Sequence, residues 1–108
     1  MPHPIDRLYE RILERKSAAP EESYTAKLLG QGIGKIAKKV GEEAVETAVA
    51  AAERNKAATI SESADLLYHL LVLWAASGIT PDEVYAALEA REGRSGLAEK
   101  ASRPSKDT

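Results

Sequence analysis

The sequence predicts an all-α protein, a helical bundle of four to five helices assembled as a homodimer with a shared core. Composition points there first: alanine, leucine, glutamate and lysine abound, phenylalanine is absent, and glycine and proline fall mainly between segments. Apolar residues recur at helical spacing along most of the chain. One segment is apolar on every side, more than a chain of 108 residues can surround alone, which implies a second copy. The chain reads as one domain, 1–108, without internal repeats and with a loop-like tail from about residue 93.

The first helix is expected over Ile5 to Lys16, where Ile5, Leu8, Tyr9 and Ile12 share a face and Ser17-Ala18-Ala19-Pro20 ends it. Ser23 is placed to cap a short second helix through Leu29, before Gly30 and Gly32 interrupt the chain. A long third helix follows from about Ile33 to Arg54. Its apolar face is Ile33, Ile36, Ala37, Val40, Ala44 and Ala48; Lys35, Lys39, Glu42 and Glu46 lie on the polar side and Glu43 on the border. Asn55 to Ala58 reads as a turn. Thr59 with Glu62 fits a capping box for a fourth helix that runs to Ser77 and stops at Gly78. Beyond Asp65 that helix carries Leu66, Leu67, Leu70, Leu71, Val72, Leu73 and Trp74, pointing in all directions. Thr80-Pro81-Asp82-Glu83 is a cap with proline at the first helical position, opening a last helix through about Arg91.

A net charge of −2 gives no general reason to expect nucleic acid as a partner. With no cysteine, disulfides, zinc–thiolate sites and thiol nucleophiles are excluded, and the chemistry must use oxygen and nitrogen. The first residues lack the pattern of a secretory signal, and the apolar run from Leu66 to Ala76 is too short to span a bilayer. A cytoplasmic protein without membrane contact is the expectation.

The chemistry-bearing pattern is a pair of carboxylate pairs, Glu43 with Glu46 and Glu62 with Asp65, each spaced i and i+3 within a helix. Residues three apart lie on nearly one face, so two packed helices bring four oxygen donors to one point, the donor set that magnesium or manganese prefers. Taken singly, Glu62 is equally a capping-box residue and the others a solvated face. Asp65 sits inside a segment otherwise buried, where an unpaired carboxylate is costly. Lys35, Lys38 and Lys39 stand near the N-terminal end of the third helix, where the helix dipole disfavours positive charge. Either Lys38 pairs with Glu42 and Lys39 with Glu43 at i and i+4, or the three lysines hold phosphate oxygens while the acids hold a bridging metal. His69 falls on the arc of Glu62 and Asp65 and reads as a packed or supporting residue.

These residues resemble the phosphoribosyl-ATP pyrophosphatase family of histidine biosynthesis, a branch of the all-α nucleoside triphosphate pyrophosphohydrolases. The resemblance is carried by Ser23-Tyr24-Thr25-Ala26, the run from Lys35 to Glu46, the run from Glu62 to Leu71, and the tail Arg94 to Arg103. It implies hydrolysis of the α–β phosphoanhydride of phosphoribosyl-ATP to phosphoribosyl-AMP and pyrophosphate, with Mg2+ required and Mn2+ a possible substitute. By the family pattern Glu43, Glu46, Glu62 and Asp65 are metal ligands, and Glu42 is either a further ligand or the base that orients the attacking water. Glu42 and Glu43 are thus the catalytic candidates. Lys35, Lys38 and Lys39 are candidates for the substrate's phosphates, and Tyr24, His69, Lys100 and Arg103 are further substrate candidates. The cysteines expected of the cyclohydrolase to which this activity is sometimes fused are missing, so a monofunctional chain is expected. Two rival readings are a house-cleaning nucleoside triphosphate pyrophosphohydrolase and a non-catalytic helical dimerisation module.

Overall fold

A computed structural model describes residues 3–92, and every described element is helical. Helix α1 spans Pro4–Glu14 and tightens into a 3-10 turn at Arg15–Ser17. It is followed by α2 (Tyr24–Gln31), α3 (Ile33–Ala52), α4 (Lys56–Ser77) and α5 (Pro81–Glu92). The all-α expectation holds. The tail, with Lys100 and Arg103, lies outside the described residues.

Local chemistry explains most boundaries. His3 caps α1, its Nδ1 accepting the Ile5 amide at 3.1 Å, with Pro4 at the first helical position. Ser23 caps α2 as expected, its Oγ accepting the Ala26 amide at 3.1 Å. Gly30 does not interrupt α2; the break is at Gly32, whose φ of +92° a side chain would oppose. At α5 the capping box is formed: Glu83 Oε1 accepts the Thr80 amide at 2.8 Å and Thr80 Oγ1 accepts the Glu83 amide at 3.3 Å.

The opening of α4 differs from expectation. Asn55, not Thr59, is the N-cap, its Oδ1 accepting the Ala58 amide at 3.0 Å. Thr59 instead donates its hydroxyl to the Asn55 carbonyl at 2.8 Å. Two cap-forming residues stood four apart, and the earlier one wins because it lets another turn form. Glu62 therefore lies within the helix and serves no cap.

The core is built from Tyr9, Ile12, Leu28, Ile36, Leu71, Val72 and Ala75, so it joins α1, α2, the start of α3 and the C-terminal half of α4. Tyr9 fastens α1 to the end of α4 by donating its hydroxyl to the Ile79 carbonyl at 2.7 Å. The dominant interface is α3 against α4, an antiparallel hairpin closed by Arg54 in the left-handed region and Asn55. On α3 the buried face is not the expected one. Ile36, Glu43 and Ala50, seven residues apart, form the buried seam, while Ile33, Ala37, Ala44 and Ala48 are exposed and Val40 is half-buried. Alanines have little area to bury, so an alanine-rich face competes weakly against the heptad that begins with Ile36. Within one chain α4 is not buried all round either: Leu71 and Val72 are, but Leu67 is 44% exposed.

Candidate metal and phosphate site

Where α3 and α4 run side by side, Glu43 from one helix meets Glu62 and Asp65 from the other. One oxygen from each carboxylate lies within 4.8 Å of the other two. The burial is the reverse of what the sequence suggested for Asp65, which is exposed; the buried carboxylate is Glu43, only 8% accessible. The heptad explains this, since Glu43 occupies the seam position between Ile36 and Ala50. Its Oε1 is buried and has no hydrogen-bond partner among the described residues. An anionic oxygen left so is strongly unfavourable unless something cationic or donating faces it.

Glu46 is exposed and is not one of these three converging acids. It lies close enough to matter to Glu62, whose carboxyl pKa is raised by partial burial first and by the Glu46 charge next, with Glu43 adding to both. Glu46 and Glu62 also line an open groove of about 300 Å³ between the two helices, walled by Val45, Val49 and Ala58. Three mutually close carboxylates with one desolvated oxygen fit a hard divalent cation.

The remaining described candidates lie on α2, α3 and α4. Lys39 pairs with Glu42 at 3.4 Å, an i,i+3 contact in place of the i,i+4 pairs expected from spacing. That bond first, and then the electrostatic influence of Tyr24, hold the Lys39 ammonium more basic than usual. Lys35 and Lys38 are exposed on the same helix. Tyr24, half exposed, places its hydroxyl 3.2 Å from His69 Nε2, and His69 Nδ1 is 2.8 Å from the Asp65 carbonyl oxygen. Tyr68 completes the group: its ring stacks on Tyr24 and its hydroxyl bonds Thr25. The sequence reading did not single out Thr25, although it stands beside Tyr24 at the start of a capped helix, where a short hydroxyl side chain is well placed to meet a neighbour.

The phosphoribosyl-ATP pyrophosphohydrolase family model matches residues 5–92. The chain belongs to that family. Its relatives named phosphoribosyl-ATP pyrophosphatase include one from Azospirillum brasilense, 59% identical over 101 residues covering 94% of this chain and 91% of the relative. Another, from Parvibaculum lavamentivorans, is 60% identical over 99 residues, 92% of this chain and 91% of the relative. A third, from Paramagnetospirillum magneticum, is 55% identical over 102 residues and covers 94% of each. The matched span of this phosphoribosyl-ATP pyrophosphohydrolase family member contains all of the acids and lysines just described. No described helix is long and apolar enough to cross a membrane.

Proposed function

We propose that the chain hydrolyses phosphoribosyl-ATP at the α–β phosphoanhydride, giving phosphoribosyl-AMP and pyrophosphate in the cytoplasm as a step of histidine biosynthesis. The observation that carries this is the convergence of the buried Glu43 carboxylate, one of whose oxygens has no hydrogen-bond partner among the described residues, with Glu62 and Asp65, in a chain of this family. Those three residues would hold Mg2+, or Mn2+ in its place, with Glu46 completing the set from the groove. The ion, when bound, supplies positive charge against the phosphate oxygens as they gain charge.

The chain's own residues do the rest. Lys35, Lys38 and Lys39 bind phosphate oxygens from the N-terminal half of α3, offsetting charge that the acids alone would repel. Water is the nucleophile: its oxygen forms the new bond to phosphorus, the bridging anhydride oxygen leaves with its electron pair, and the water's proton goes to a carboxylate. Glu42 is the candidate for that proton, and its pairing with Lys39 links the base to a phosphate-binding cation. Tyr24 and His69, and Lys100 and Arg103 from outside the described residues, are further candidates for contacts to the substrate.

The working unit is a homodimer. Val45 and Val49 on α3 and Ile60 and Leu67 on α4 are 63%, 49%, 62% and 44% exposed, an apolar burden beside the acids that a second copy would cover.

The deciding experiment is pyrophosphate release from phosphoribosyl-ATP with magnesium, run beside ordinary nucleoside triphosphates and the Glu43→Gln variant. Selective release that the variant abolishes is expected. Equal turnover of dUTP or dCTP would overturn the substrate assignment.

A further inference from the structure

Near the middle of α3 stands a glycine that the chain's own packing does not require. Gly41 lies inside a 20-residue helix, where glycine is a poorer helix former than any residue but proline. The described glycines with positive φ are Gly32 and Gly78, so Gly41 is not there to permit an unusual backbone. Crowding does not explain it either, because a Cβ built at Gly41 would meet no atom within 4 Å. The missing side chain leaves room outside the helix.

That room is an open cavity of about 480 Å³ lined by Lys38, Gly41, Glu42, Val45 and Glu46. Lys38, Gly41, Glu42 and Val45 stand at i, i+3, i+4 and i+7, so they share one side of α3. The volume is that of a small-molecule site. Each charged residue in the lining already has a part in the proposed function: Lys38 for phosphate, Glu42 for the water's proton and Glu46 for the metal. A second copy packed into this cavity would strip water from all three, and burying charges without partners is costly. A phosphate chain with its divalent ion instead offers an anion to the lysine and a cation to the carboxylates.

We propose that Gly41 is a specificity-determining residue, keeping this side of α3 bare so that the substrate's phosphate chain lies against the helix between Lys38 and Glu46. This rests on the proposed function, which supplies the substrate. Lys38, Glu42 and Glu46 all project from α3, so their reach from the helix sets where the reacting phosphorus must sit. A methyl group at position 41 would hold the chain away from that place, and a misplacement of about 1 Å costs on the order of a hundred-fold in rate. The glycine gives up helix stability for clearance, a trade expected at functional sites.

The test compares wild type, Gly41→Ala and Gly34→Ala in kcat/KM for phosphoribosyl-ATP with magnesium, in metal-free melting temperature and in sedimentation. Gly34 is the control: it lies on the same helix, a Cβ there would also meet nothing within 4 Å, and it does not line this cavity. Gly41→Ala is expected to melt roughly 3–8 °C higher than wild type, because alanine favours the helix. Its sedimentation is expected to be unchanged while kcat/KM falls about ten- to a hundred-fold. Gly34→Ala is expected to keep the wild-type kcat/KM. A Gly41→Ala protein with wild-type kcat/KM, or an equal loss in Gly34→Ala, overturns the proposal and leaves the function standing. So does a Gly41→Ala protein that melts lower or sediments as a smaller species, which would set the glycine against a second copy. A wild-type protein that releases no pyrophosphate from phosphoribosyl-ATP overturns both.

Discussion

Glu43 of α3 and Glu62 of α4 face one another across the helix seam with carboxylate oxygens no more than 4.8 Å apart, two groups of like charge that packing forces together. Partial burial, the charge of Glu46 and the presence of Glu43 all push the Glu62 carboxyl above its ordinary value of 4.5. Because the folded state favours the protonated acid, the stability it contributes is fully present below the unfolded value and is lost as pH rises through the folded one. In chelator, Glu62→Gln is therefore expected to melt higher than wild type at neutral pH, with the gap closing as pH falls to about 4. A Glu62→Gln protein that melts lower than wild type at neutral pH would sink this reading.

A divalent ion should relieve that repulsion and stabilise the protein. At a hundred-fold excess over its dissociation constant the gain is about 2.7 kcal/mol, roughly 10 °C or more in melting temperature for a domain of this size. Glu43→Gln removes the buried anionic ligand and is expected to abolish most of the shift. The check is a melting series with Mg2+ and Mn2+; equal shifts in the two proteins would place the metal elsewhere.

The start of α4 offers a sharp contrast between two neighbours. Asn55→Ala removes the cap on Ala58 and is expected to cost about 1 kcal/mol. Thr59→Val, which removes only a hydroxyl bonded to the Asn55 carbonyl, is expected to cost less. Urea midpoints of the two variants decide the order.

Ile36 is fully buried at the junction of α2, α3 and α4, so Ile36→Ala should destabilise by about 2 to 5 kcal/mol. Chemical denaturation reads this directly, and a loss below about 1 kcal/mol would mean that the core collapses around the missing carbons.

The exposed apolar residues predict the assembly. Under the proposed homodimer, Ile60→Lys and Leu67→Lys should each shift sedimentation at micromolar concentration from dimer to monomer, because a buried lysine without a partner is costly. Unchanged sedimentation of both variants would put the interface on another face.

The helical class, the number of helices and three of the caps, at Ser23, Gly78 and Thr80–Glu83, were determined by the sequence itself. Each depends on residues within a few positions of one another: a hydroxyl that meets an amide two or three places on, a glycine that accepts a positive φ. So did the pairing of acids at i and i+3, since helical geometry alone puts them on one face. Only the tertiary structure decided which acid is buried. Glu43 looked like a border residue and Asp65 an interior one, and the reverse holds, because the choice of seam belongs to two helices at once and the heptad of Ile36, Glu43 and Ala50 won it. The hydrogen bond from Tyr24 to His69 was equally out of reach of the sequence. It joins residues 45 positions apart, which only the folded chain brings together.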